Sequence, residues 1–358
     1  MMDVQRSICP LLRNPRTYDP DTIDLLSDIK QRDYWLTCLD QMMKKFITKA
    51  AVLNPEDLRA EEKAKKSYQS FHMLTEKLKD NPHLLNPLSV RTLLEFNEDN
   101  LRDNNFKDAW FHQKQKETNL AFQQFLSRLK YIDSIESFND RWLEVIQGVL
   151  AGNVFDWGSK AVSDILDGNP DFDLNNAVGI IQPRPWFKDN FDLFVDKIKT
   201  CPYEKVVIFV DNAGIDFVLG ILPLTRELLK LDTKVILVGN SMPALNDVTY
   251  KELKSYIDEA SHYCNILKNA VKDNKLLCCE NGQKGPCLDL TNLPKALCNI
   301  MLTTDCVILE GMGRAIQTNF YATFIVDCLK LAVLKNEWLA KSLGASQFFV
   351  VCDFKIAT

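Results

Sequence analysis

Five consecutive apolar residues, Val206-Val207-Ile208-Phe209-Val210, run without a polar break into Asp211, Asn212, Ala213 and Gly214. A run with no alternation, rich in Val and Ile, suits a strand covered on both faces, as inner strands of parallel sheets are. Ligands of such sheets collect outside the carboxyl ends of the strands. Asp211 and Asn212 are therefore placed where a cleft opens. A second run, Lys234-Val235-Ile236-Leu237-Val238, ends in Gly239-Asn240 and follows a helical pattern over Leu219 to Leu231. Strand, helix and strand make a βαβ unit.

The same texture continues toward the C-terminus. Tyr250 to Ala270 predicts a helix, Lys275 to Cys279 a short strand, and Cys306 to Glu310 a strand leading into a Gly311-Met312-Gly313-Arg314 loop. Thr323 to Leu343 predicts a helix and Phe348 to Cys352 a last strand. Upstream, Asp33 to Ala51 and Pro55 to Lys79 have helical, amphipathic spacing, with breaks near Pro82 and Pro87. The run Glu61-Glu62-Lys63-Ala64-Lys65-Lys66 places each acid four residues before a lysine, as on a solvated helix face. The expected fold is a three-layer α/β/α arrangement with a mostly parallel, Rossmann-like sheet in residues 151–358 and a helical N-terminal subdomain in residues 1–150.

Composition narrows the function. With 358 residues and 46% hydrophobic content the chain buries a substantial core, and a net charge of −5 provides no basic field for nucleic acid. No stretch approaches the roughly 20 apolar residues that span a bilayer, and Met1 to Arg6 lacks the apolar core of a signal peptide. The expectation is a cytoplasmic protein that acts on small molecules, engages neither membrane nor nucleic acid, and leaves homo-oligomer formation open. The 11 cysteines include Cys298, Cys306 and Cys328 inside apolar runs and read as reduced, buried thiols. Cys278 and Cys279 would point to opposite faces of an extended segment, and with Cys287 they lack the spacing of a zinc site. His72, His83, His112 and His262 form no ligand pair.

Three strand ends carry the chemistry. They terminate in Asp211-Asn212, in Asn240 with Asn246-Asp247 close behind, and in Glu310 to Arg314. Carboxylate and carboxamide oxygens select hard cations such as Mg²⁺ or Mn²⁺, and arginine grips phosphate oxygens in a bidentate manner. Glycines beside Met312 let backbone approach an anion. No dinucleotide or P-loop glycine pattern accompanies them. Each residue also has a structural reading: Asp211 and Asp247 as helix caps, Glu310 and Arg314 as a local ion pair, and Asn153 to Asp156 as a turn before a Trp157 to Leu166 segment. Their joint placement at strand ends favours a site.

Val210-Asp211-Asn212-Ala213-Gly214, Asn240-Ser241-Met242-Pro243-Ala244-Leu245-Asn246-Asp247-Val248-Thr249 and Glu310-Gly311-Met312-Gly313-Arg314 resemble the motifs of the metal-dependent damage-control phosphatases (domain of unknown function 89). Ala151 to Asp156, Gln182-Pro183-Arg184-Pro185-Trp186 and Lys114 to Asn119 are similar too. The likeness is to the second subfamily, which holds the C-terminal phosphatase domain of pantothenate kinase 4 and stand-alone plant relatives. The chain has no room for a kinase domain, so the stand-alone members are the expected counterparts. Ala213 stands where the family usually has Ser. The resemblance implies a divalent metal (Mn²⁺, Ni²⁺, Co²⁺ or Mg²⁺) on Asp211, Asn212 and Asp247, with Asp211 and Asp247 catalytic. It implies substrate contacts at Asn153, Asp156, Arg184, Asn240, Glu310, Gly311, Met312, Gly313, Arg314 and Lys335, with Lys330 as the competitor of Lys335.

The expected activity is hydrolysis of a small phosphorylated metabolite, 4′-phosphopantetheine or an oxidised derivative first, a sugar phosphate next. A water or the Asp211 carboxylate can serve as nucleophile. An S-adenosylmethionine-dependent methyltransferase on the same sheet type, or a binding module that senses a phosphorylated metabolite, are the alternatives.

Overall fold

The computed structural model of the chain describes residues 5–156, 162, 165, 166 and 173–357. Its centre is a seven-stranded sheet. In chain order the strands are β1 (Lys188–Asp189), β2 (Lys205–Phe209), β3 (Lys234–Gly239), β4 (Leu276–Glu280), β5 (Cys306–Glu310), β6 (Asp327–Val333) and β7 (Val350–Lys355). In space they lie in the order β1-β7-β6-β5-β2-β3-β4, and every pairing is parallel except that of β6 with β7. The sheet is therefore mostly parallel, as the sequence predicts.

Successive strand residues face opposite sides of a sheet, and both sides are apolar here. Val206, Ile208 and Val210 enter one hydrophobic cluster; Val207 and Phe209 enter the other. The first five helices are α1 (Ile29–Val52), α2 (Ala60–Asp80), α3 (Val90–Asp103), α4 (Phe111–Ser134) and α5 (Phe138–Gly152). Buried residues of α1 to α3 join the Val207 and Phe209 cluster, whereas those of α4 and α5 join the Val206 and Ile208 cluster. The division at residue 150 thus marks a change of composition, and packing runs across it. The N-terminal helices supply parts of both outer layers.

Two helical expectations change. Thr323 to Leu343 holds β6 and a short helix α6 (Glu337–Ser342) in place of one long helix. Every residue of β6 is buried, Lys330 included, so a near-continuous apolar run here means coverage on both faces. Length and apolar content do not separate that from a buried helix. Tyr250 to Ala270 is two helices, Tyr250–Tyr263 and Asn265–Lys272, broken at Cys264, which is extended and buried. The last strand begins at Val350. Cys278 packs toward one hydrophobic cluster and its neighbour Cys279 toward the other. Of the Trp157 to Leu166 segment, all but Val162, Ile165 and Leu166 lie outside the described residues.

The strand order positions the site. From β2 the chain builds outward through β3 and β4, then returns to place β5 on the other side of β2. Such a reversal leaves a crevice at the carboxyl ends of the two strands. Phe209 pairs with both Val238 and Leu309, so Asp211, Asn240 and Glu310 leave the sheet side by side.

Candidate active site

Beyond β2 the chain keeps strand-like pairing with an incoming loop. The Val248 amide donates to the Asp211 carbonyl at 2.9 Å, the Ala213 amide to Asn246 at 2.8 Å, and Asn212 bridges Asp247 in antiparallel fashion. This pairing delivers Asp247 beside Asp211 and Asn212. The helix that follows Asp247 is capped by Thr249 with Glu252 in a reciprocal box, so Asp247 is not its cap. Nor does Asp211 cap: its carboxylate meets the side chains of Arg314, Asn153 and Asn212.

Arg314 holds the two aspartates. Its Nη1 pairs with Asp211 Oδ1, and its Nη2 lies 2.8 Å from Asp247 Oδ2 and 3.1 Å from Asn240 Oδ1. The other Asp211 oxygen accepts from Asn153 Nδ2 and Asn212 Nδ2, each at 3.0 Å. Asn240 Nδ2 donates to Asp247 at 2.8 Å. Glu310 does not pair with Arg314; it accepts the Asp211 amide at 2.6 Å and Asn153 Nδ2 at 3.1 Å. Lys335 Nζ sits 2.6 Å from Asp156 Oδ2 and donates to the Asn153 carbonyl at 2.6 Å.

Gly311 has φ +98°, and a Cβ there would overlap the Asp211 carboxylate. Only glycine lets the backbone pass so close. Met312 and Gly313 line the cleft wall.

The cleft is a cavity of about 660 Å³, within the range of small-molecule sites. Asp156, Asp211, Asn212, Asp247 and Lys335 line it, together with α1 residues that include Tyr34, Cys38 and Met42. Arg184 is placed elsewhere. It pairs with Asp189 and Asp192 and lies over the Phe191 ring at 4.8 Å, fixing the chain around β1. Lys114 is buried between Asp108 and Glu252 at 2.8 and 2.7 Å, and Thr118 accepts the Gly214 amide at 3.1 Å. The Lys114 to Asn119 stretch thus braces the loop after β2 from outside the cavity.

The site crowds buried carboxyls together. Burial, then the Asp216 charge, pushes the Glu310 carboxyl well above its ordinary range. Burial raises Asp216 as well, and burial with the charges of Asp156 and Glu98 raises Asp247. Burial pulls Arg314 down to about 9, which leaves it cationic at neutral pH. Carboxylates of Asp211, Asp216 and Glu310 offer oxygens within 4.8 Å of one another, and Asp216 Oδ1 is buried without a hydrogen-bond partner. Hard oxygen donors so clustered, one of them unpartnered, fit a divalent cation.

Asp216 was not singled out from the sequence. It opens a π-helical turn, Asp216–Ile221, just before the helical pattern begins at Leu219. Its signal was an acid following Asp211-Asn212-Ala213-Gly214 within one turn. The buried Glu98 of α3 carries no comparable signal in the sequence.

A doubly covered, mostly parallel sheet thus gathers oxygen donors, an arginine and a lysine at its switch point. The chain belongs to the damage-control phosphatase ARMT1-like family, whose domain it matches over residues 36–349. It is 36% identical to mouse 4′-phosphopantetheine phosphatase over 98% of this chain and 48% of that protein. It is 33% identical to the damage-control phosphatase At2g17340 of Arabidopsis thaliana, over 82% of this chain and 79% of that one. A DUF89 family protein from Pyrococcus horikoshii shares the fold, with a TM-score of 0.63 at 14% identity over 89% of this chain and 97% of that chain. The chain thus spans about half the length of the mouse relative. Among the described residues no helix is long and apolar enough to cross a membrane.

Proposed function

We propose that this chain is a divalent-metal-dependent phosphatase acting on a small phosphate monoester, with 4′-phosphopantetheine or an oxidised derivative as substrate. The observation that carries the reading is the cavity floor, where Asp211, Asn212 and Asp247 stand beside the Arg314 guanidinium and the Lys335 ammonium. The likeness to a relative named for 4′-phosphopantetheine supports the substrate.

Asp211, Asn212 and Asp247 would hold a divalent metal, Mn²⁺, Ni²⁺, Co²⁺ or Mg²⁺, which would supply positive charge where the phosphoryl oxygens gather negative charge. The chain's own groups do the rest. Arg314 keeps Asp211 and Asp247 at a fixed spacing, and Asn153 and Asn240 orient their oxygens. Lys335, steered by Asp156, gives a second positive centre at the cavity floor. Three donors already hold the Asp211 carboxylate, which favours it as an anchor and water as the nucleophile. Water forms the new P–O bond, and the ester oxygen leaves with a proton.

The test is phosphate release from a panel of esters, with 4′-phosphopantetheine and sugar phosphates included, across the four metals. We expect metal-dependent hydrolysis that falls by about a thousandfold in Asp211→Ala. Full activity in that variant would refute the metal assignment, and preference for a sugar phosphate would replace the substrate.

A further inference from the structure

The loop that delivers Asp247 carries a residue in an unusual backbone conformation. Residues 244–247 form a turn closed by the Asp247 amide, which donates to the Ala244 carbonyl at 3.0 Å. Its first central residue, Leu245, has φ +46°. Turns with positive φ at that position are dominated by Gly, Asn and Asp, and a bulky residue is strained there. Such strain persists only where the surroundings over-determine it. The surroundings are α3. The Leu245 amide donates to the Glu98 carboxylate, and Arg102 Nη1 donates to the Pro243 carbonyl at 3.0 Å. Glu98 and Arg102 are four residues apart, so one face of the helix takes hold of the loop at two points. The Leu245 side chain is buried in the same cluster as Leu93, Leu94 and Leu101 of α3. Asn246 is fixed as well: its Nδ2 donates to the Phe155 carbonyl at 3.0 Å, and its own carbonyl accepts the Ala213 amide. Neither Glu98 nor Arg102 is among the residues that line the cavity, so their influence on the site passes through the turn.

We propose that α3 is a clamp on the ligand-bearing loop: Glu98 and Arg102 hold the 244–247 turn in its left-handed form and so set the Asp247 carboxylate where it can hold a metal. Both are positioning residues. The inference rests on the metal assignment above and adds what that assignment leaves open, namely what fixes the one ligand that comes from outside the Asp211-Asn212 strand end. The site is complete only when an N-terminal helix is docked on the loop.

The experiment is an equilibrium titration of the full chain with Mn²⁺, the free ion read by electron paramagnetic resonance, with melting temperatures measured in parallel. Glu98→Ala is expected to raise the Mn²⁺ Kd by about tenfold. Glu98→Gln, whose carbonyl still accepts the Leu245 amide, keeps the wild-type Kd. Arg102→Met raises the Kd in the same direction as Glu98→Ala, so the result survives if Glu98→Ala fails to fold. The decisive step adds Leu245→Gly to each loosened variant. Glycine takes positive φ without help, so the Kd returns toward the wild-type value, while the melting temperature falls further because a buried leucine is lost. A merely structural role would move both readouts the same way. A wild-type Kd in folded Glu98→Ala or Arg102→Met protein overturns the proposal, as does a Leu245→Gly double variant that binds Mn²⁺ more weakly than its parent. If the wild-type protein binds none of the four metals, the metal assignment itself fails and takes the clamp with it, an outcome distinct from normal binding that the variants leave unchanged.

Discussion

Lys330 and Lys335 lie close together in the chain and are both nearly fully buried, at 2% and 1% exposure, yet their surroundings differ in kind. Lys330, within β6, donates to the carbonyls of Asn319, Phe320 and Ala322 at 2.7, 2.8 and 3.0 Å. All three of its protons are spent on one loop, and burial lowers its proton affinity. Lys335, past the strand end, meets the Asp156 carboxylate on the cavity wall. Burial of a charge therefore does not mark a functional residue. The partner does: saturated backbone acceptors make an anchor, and a carboxylate facing a cavity makes an adjustable cation.

The contrast can be broken or sharpened by substitution. The largest effect is expected at the floor itself, where Gly311→Ala forces a Cβ into the Asp211 carboxylate at positive φ. Loss of activity by about a thousandfold, measured as phosphate release with saturating metal, is expected; a variant with near wild-type turnover would show that the tight passage does not matter. Next, Lys335→Met should lower kcat/KM by about 100-fold, more than its change in melting temperature would explain. Lys330→Met should do the reverse, costing about 2 kcal/mol of stability by orphaning carbonyls while turnover of the folded protein changes little. If denaturant unfolding ranks the two variants the other way, the anchor and cation assignments are exchanged.

The smallest effect concerns Glu98, whose carboxyl is pushed up to about 7, by burial above all, against the attraction of Arg102 and a hydrogen bond from Leu245. Its folded affinity for a proton exceeds its unfolded affinity, so the folded state binds more protons between about pH 4.5 and 7. Stability contributed by this group is present below that window and is lost as pH rises through it. Glu98→Gln removes the dependence, and its stability gain over wild type should grow by about 1–2 kcal/mol between pH 5 and pH 8. Parallel thermal melts at the two pH values check this; an equal gain at both would exclude Glu98 as the titrating group.

Much of this was legible in the chain. The inner strands announced themselves because coverage on both faces demands unbroken apolar runs, and their polar ends had to lie at the cleft. Asp211, Asn212, Asp247, Glu310 and Arg314 were visible for that reason. Arg184 sits in a similar motif but is drawn to Asp189 and Asp192, a choice set by three-dimensional neighbours. The strand β6 was hidden because an apolar run with one central lysine reads equally well as a helix, and only the carbonyls of the Asn319 to Ala322 loop explain that lysine. That α1 borders the cavity was hidden too, since an amphipathic helix shows which residues are apolar but not which of them line a cleft.

The partition of the N-terminal helices between two faces of the sheet bears on how the chain comes off the ribosome. α1 to α3 and α4 to α5 are made before any of the strands they cover, and β5 to β7, which complete both clusters, are made after β1 to β4. Their apolar surfaces wait for the sheet while residues up to Lys355 are made. Vectorial synthesis thus holds five amphipathic helices without their final partner, a state that chaperones recognise and that a truncated transcript would leave permanent.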